Sequence, residues 1–181
     1  MKKLHISLRW KIMGAIFLLL LCSCLILGFL SSIKARAAIE KSMNDTAISI
    51  IGSIAETIDI QQFNQLRTEE DMENDYYIRL RENLNEIREA TGLKYLYTMR
   101  KAEDGRYIYV VDGMPLGDPD ESLLGDVEEG ISDKMLLSFE GSQTSELDVS
   151  EDWGSLISVY VPLLDGSGIP VGIIGADFDA T

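Results

Sequence analysis

The sequence predicts an α+β protein: a long N-terminal helix continuing from a membrane anchor and packed on a five-stranded antiparallel sheet. Three observations predict it. An uncharged apolar run near the N-terminus passes unbroken into a helical stripe. After Gly92 the apolar period changes to two. The strand-like segments are then joined by turns rich in Gly and Asp, which suit antiparallel neighbours.

The anchor comes first. No charge falls between Lys11 and Lys34, and Ile12 to Leu30 is a 19-residue apolar run. At about 1.5 Å per residue it nearly matches the roughly 30 Å of hydrocarbon in a bilayer. It is long for a cleavable signal, and Lys34-Ala35-Arg36-Ala37 is a poor cleavage site. "LLLLCSC" offers Cys24 as a lipid attachment point, yet "LILGFL" stays apolar after it. Lys2, Lys3, Arg9 and Lys11 before the run favour a cytoplasmic N-terminus. The expected organisation is a basic segment 1–11, an anchor 12–30 and an extracytoplasmic body 31–181.

That body is acidic. The chain holds 16 Lys+Arg against 30 Asp+Glu, and six of the basic residues lie within 1–36, which has no acid. Nucleic acid is therefore excluded as a partner, because binding it needs cations to displace phosphate counterions. Both cysteines, Cys22 and Cys24, lie in the apolar run, so the body has no disulfide or thiolate chemistry.

From Ser31 to about Ile60, the residues Ile39, Met43, Ala47, Ile50, Ile51, Ile54 and Ile58 form one apolar stripe. Thr68, with Asp71 three residues on, predicts the cap of a second helix. Its face is Met72, Tyr76, Leu80, Leu84, Ile87 and Thr91, and Gly92 stops it. "LKYLYTMRK" and "RYIYVVD" flank the turn "AEDG" as a hairpin. Residues 113–130 form a long loop, and "SDKMLLSF" is a short helix capped by Ser132. "TSELDVS", "SLISVYVPLL" and "PVGIIGADFD" complete the sheet, the last two meeting at "DGSG".

"TGLKYLYTMRKAEDGRYIYVVDG" and "EDWGSLISVYVPLLDGSGIPVGIIGADFD", behind a long helix, resemble the PDC-like, or Cache, extracytoplasmic sensor domains. Those domains serve bacterial chemoreceptors, sensor histidine kinases and diguanylate cyclases. The resemblance covers residues 31–181 and implies a PAS/PDC-like sheet backed by the helix, with a small-molecule pocket on the other face. It implies a signal-input module rather than an enzyme, with no cofactor, and a methyl-accepting chemotaxis protein before the other receptor types. The implied partners are a small ligand (an amine, amino acid or small organic acid), the membrane, and a second copy along the long helix. In the family the last strand leads into a second span and an output domain, neither of which is expected within residues 31–181.

The resemblance also places a ligand's ammonium at Asp177, the Asp of the "GxxGxD" ending. On that strand Val171, Ile173, Gly175, Asp177 and Asp179 share one face, and Gly175 leaves room beside the carboxylate. The other reading is a solvated Asp at the strand's exit. Tyr97, Tyr109, Trp153 and Tyr160, from a set that includes Tyr95 and Tyr107, suit an aromatic pocket or simply pack. Asp112 matches a pocket Asp in relatives, but strict alternation turns it away from Tyr109 unless a bulge intervenes. The Arg-x-Trp-Tyr signature that holds an amino acid's carboxylate is missing, which speaks against amino-acid specificity.

Other chemistries find little support. His5, the only histidine, precedes the anchor, so no Ser-His-Asp set or ordinary zinc site exists in the body. Asp118, Asp120, Ser122 and Glu129 stand at calcium-loop offsets, but Leu123 replaces the required glycine. An anchored hydrolase would have to draw on Asp112, Asp177 and Asp179. A ligand-free anchored scaffold or lipoprotein is the third class.

Overall fold

The computed structural model describes residues 8–150 and 154–179. Backbone contacts divide the chain into two units, Met1–Met43 and Asn44–Thr181. The first consists mostly of helix α1 (Leu8–Ala55), whose later turns enter the second unit. Within α1 the 20-residue window Ile16–Ala35 is unburied and is long and apolar enough to cross a membrane.

In the second unit, α1 contributes Ala47, Ile51, Ile54 and Ala55 to the core. The expected stripe was too wide. Met43 and Ile50 are 57% and 43% exposed, because the buried set keeps to one line along the helix. The side chain of Ile39 lies outside the described residues. The helix also stops before Ile60. Thr57 and Ile58 donate their N–H groups to Ile54 and Ala55, tightening the last turn. Asp59 then caps α2 (Ile60–Phe63), accepting from the N–H groups of Gln61 at 2.9 Å and Gln62 at 3.1 Å. Ile58 reaches the core from this turn.

The Thr68–Asp71 pairing forms, with Asp71 Oδ2 accepting from the N–H groups of Arg67 at 2.7 Å and Thr68 at 2.8 Å. It opens a short 3-10 turn (Glu69–Glu73), not the α-helix. Asn74 is the cap of α3 (Asp75–Thr91), with its Oδ1 accepting from Tyr76 N–H at 2.8 Å. Tyr77, Leu80 and Leu84 are the buried residues of α3, while Thr91 is exposed. Gly92 closes it at φ 71°, where a side chain would be strained.

The strands are β1 (Tyr95–Lys101), β2 (Tyr107–Asp112), β3 (Thr144–Ser150), β4 (Gly154–Leu164) and β5 (Pro170–Asp179). They form one antiparallel sheet in the order β2-β1-β5-β4-β3. Helix α4 (Asp133–Phe139) lies between β2 and β3 in sequence, with Ser132 Oγ accepting from Met135 N–H at 3.0 Å. The fold is α+β. β5 is the central strand, and its alternation buries both faces: Ile174 and Ala176 join the core with α1 and α3, and Ile173 joins a second cluster on the other side.

On the helix-covered face, Arg100 is 3% exposed. Its Nη2 donates to the Phe63 carbonyl at 2.5 Å, and its guanidinium lies 4.6 Å from the Phe63 ring centroid. Burial, with Arg67 nearby, lowers its pKa to about 10. The residue ties β1 to the end of α2.

Candidate functional site

The open face of the sheet holds the site. Pairing places Tyr97 opposite Gly175 and Tyr95 opposite Asp177, on the same face of β1 and β5. Across β5, Ser158 faces Asp177 and Tyr160 faces Gly175. Between β1 and β2 the register shifts: Tyr97 pairs with Asp112, but Met99 pairs with Tyr109. β2 therefore carries an extra residue, a bulge that turns Asp112 and Tyr109 to one side. Tyr97, Tyr109, Asp112, Tyr160 and Asp177 all line one cavity of about 470 Å³. Trp153 lies outside the described residues.

The space left by Gly175 is already taken. A Cβ there would lie 2.4 Å from Tyr97 Cε2 and 2.9 Å from its hydroxyl oxygen, so the tyrosine ring fills the gap expected for a ligand. Tyr107 packs against Phe139, with ring centroids 4.6 Å apart, and is not among the lining residues. Asp179 is exposed and also lies outside the lining. This leaves Asp112 and Asp177 as the members of the expected carboxylate set that line the cavity.

The remaining wall comes from the 113–130 loop, which supplies Asp120, Glu121, Ser122 and Glu128. Asp112 anchors it: its Oδ1 accepts from Met114 N–H at 3.0 Å and its Oδ2 from Ser122 N–H at 2.8 Å. Glu121 Oε2 accepts from Gly117 N–H at 2.7 Å, and Arg81 stands 3.8 Å from its Oε1. Tyr95 donates its hydroxyl to Asp120 at 3.1 Å, and Tyr109 donates to Glu128 at 2.5 Å. The loop's return pairs with the outer edge of β2, where Tyr109 N–H donates to Asp126 O at 2.9 Å. Helix α4 adds Met135 to the lining. The sequence carried a signal for Ser158 and Tyr95, each two residues from a chosen tyrosine on the same strand face. Of the loop carboxylates, Asp120 stood out only at a calcium-loop offset, and Glu121 and Glu128 carried no signal.

The tyrosines are held as neutral phenols. Burial, followed by the Asp177 charge, raises Tyr97 well above the usual range. Burial and the Glu128 hydrogen bond raise Tyr109, and burial raises Tyr160. Tyr95 is pushed up to about 12 by burial and Asp120. At neutral pH the charge of the lining is therefore that of its carboxylates.

Asp112 titrates within reach of experiment. It is 4% exposed, and burial pushes its pKa up from 3.8 to about 6 against the opposing pull of its two backbone donors. A pKa raised in the folded state means that the ionised form is disfavoured there. Its stabilising contribution is full below about pH 4 and is lost as pH rises through about 6. Between pH 4 and pH 8, wild type should lose on the order of 2–3 kcal/mol relative to Asp112→Asn. The amide's missing acceptor adds only a constant offset. Thermal melts of both proteins across that range check this, and a constant gap would remove the assignment.

No protein-family model matches the chain, and no curated protein matches its sequence. Solved structures do. The sensor domain of the V. cholerae histidine kinase DctB matches with a TM-score of 0.64 at 12% identity, over 88% of this chain and 57% of that one. The fold is that of the PDC-like sensor domains. A ligand-binding domain of this PDC-like fold, from the Campylobacter jejuni chemoreceptor Tlp3 in complex with 4-methylisoleucine, matches with a TM-score of 0.51 at 13% identity. The match spans 76% of this chain and 52% of that one. The chain thus covers little more than half the length of either PDC-like structure. The first counterpart is a sensor domain and the second a ligand-binding domain.

Proposed function

We propose that the chain is the ligand-binding input module of a transmembrane bacterial receptor, with residues 12–30 as a single-pass anchor and the body extracytoplasmic. The observation that carries this reading is the cavity of about 470 Å³ on the open sheet face, with Tyr97, Tyr109, Asp112, Tyr160 and Asp177 in its lining. A pocket with aromatic walls and a few convergent polar groups suits a small molecule. β5 offers a route for the signal: Asp177 faces the cavity, while Ala176 on its other face joins the core that contains Ala47 and Ile51 of α1. A ligand drawn against β5 would bias the packing of that helix.

The receptor proposed is a methyl-accepting chemotaxis protein. A histidine kinase is the second reading, favoured by the likeness to the DctB sensor domain. The gene sequence beyond codon 181 checks this, because a second apolar span followed by one or the other output module decides between them. The proposal includes a homodimer along α1, where Ile50 leaves an apolar side chain 43% exposed. A strict monomer in sedimentation of the detergent-solubilised chain would remove that part.

The sensing role itself is tested by thermal unfolding of the full chain in detergent with a panel of small amines, amino acids and carboxylic acids. A ligand that binds only the native state raises the midpoint in a saturable way. Silence across the whole panel would sink the reading.

A further inference from the structure

We infer that the cavity selects a small organic amine that carries no carboxylate of its own. The inference rests on the cavity being the ligand site. Five carboxylates line it, from Asp112, Asp120, Glu121, Glu128 and Asp177, and no Lys, Arg or His does so among the described residues. Arg81 reaches Glu121 at 3.8 Å but is not part of the lining. Four of these carboxylates are oriented by neutral donors: backbone N–H groups hold Asp112, Glu121 and Glu128, and tyrosine hydroxyls hold Asp120 and Glu128. Neutral donors fix the oxygens without cancelling their charge, and Arg81 offsets part of the charge of Glu121 alone among these four. An amino acid or a dicarboxylate would bring another negative group into this field, with no cationic side chain in the lining to meet it.

A second observation points the same way. Tyr97 is 7% exposed and lines the cavity, and its hydroxyl hydrogen-bonds to no described residue. The oxygen lies over Gly175, one step along the face from Asp177. A protonated phenol keeps its lone pairs for an ammonium N–H. The Tyr97 and Tyr109 rings, 5.3 Å apart and edge to face, add a surface that a cation prefers. An ammonium set between the Tyr97 oxygen and Asp177 meets a hydrogen-bond acceptor and a counter-charge together.

The test uses matched pairs, each an amino acid and the amine left when its carboxylate is removed: L-valine with isobutylamine, and L-lysine with cadaverine. Succinate is the anionic arm. Calorimetric titration of the full chain in detergent should find the amine of at least one pair binding ten times or more tightly than its amino acid. Asp177→Asn should weaken that amine by about ten- to a hundredfold, the range for losing a charge-assisted hydrogen bond. Tyr97→Phe, which keeps the ring, should weaken it severalfold, and it serves alone if the Asp177 variant does not fold. Tighter binding of the amino acid or of succinate overturns the amine assignment and leaves the sensor reading standing. Amine binding that ignores both substitutions also overturns it, since the amine would then bind elsewhere. No binding by any of these compounds, together with silence of the wider thermal panel, removes the site as well.

Discussion

Replacing Gly172 by alanine is expected to lower the melting temperature by roughly 5–10 °C, from overpacking that costs about 2–3 kcal/mol. Gly172 is buried on β5, and an added Cβ would sit 2.4 Å from the carbonyl oxygen of Met99 on the neighbouring strand. It would also come within 3.2 Å of Phe63 Cε1. The two contacts differ in kind. A ring can shift by a few tenths of an ångström, whereas the Met99 carbonyl belongs to the β1 backbone and is held by the ladder. The carbonyl therefore decides the outcome. Thermal melts of Gly172→Ala check this, and an unchanged midpoint would show that β1 and β5 can part more easily than the geometry implies.

Phe63→Ala should have the larger effect, about 3–5 kcal/mol, in line with truncating a fully buried aromatic. Phe63 is 0% exposed, its ring lies against Gly172, and the Arg100 guanidinium stands 4.6 Å from its centroid. Truncation leaves a void and strips the buried cation of its aromatic face. Arg100 suffers from this because its Nε and Nη1 have no hydrogen-bond partner among the described residues. Phe63→Leu keeps much of the apolar volume and so separates the two losses; its remaining deficit reflects ring shape and a cation–π share of about 0.5–2 kcal/mol. Denaturant titration of the three proteins gives the numbers. Adding Phe63→Ala to Gly172→Ala should not rescue it, because the Met99 carbonyl stays in place. Rescue would identify the ring as the true obstacle.

The sheet was legible because its signals are local. Alternation from Tyr95 to Lys101 and from Tyr107 to Asp112, around a turn with Gly105 at φ 90°, fixes a hairpin without reference to the rest of the chain. The helix caps were half legible. Thr68 and Asp71 do pair, but a pairing motif does not reveal whether the turn it opens will continue, and Asn74 restarts the helix. Met43 and Ile50 looked like core because apolarity alone does not say which side of a helix meets the sheet. In the site, Tyr97, Tyr160 and Asp177 follow from strand parity. The convergence of Tyr109 with Asp112 was visible only as a condition, since a bulge has no residue signature here. Gly175 was misread for a physical reason: an absent side chain shows that something approaches closely, not what approaches. The loop carboxylates converge through chain reversal at 113–130, which no periodicity encodes.

The strand order bears on how the molecule assembles. β1 and β2 are neighbours in sequence, as are β3 and β4, so each hairpin can close early and locally. Neither finds its place in a single sheet until β5, the last of the five to leave the ribosome, enters between β1 and β4. Until then each nascent hairpin presents an open edge, a surface prone to mispairing with other chains. The β1–β5 ladder joins segments far apart in sequence, so its loop-closure entropy is met late, and such contacts slow folding. The strand that carries Asp177 to the cavity is thus also the keystone of synthesis, and the cavity comes into being only when translation has reached Asp179.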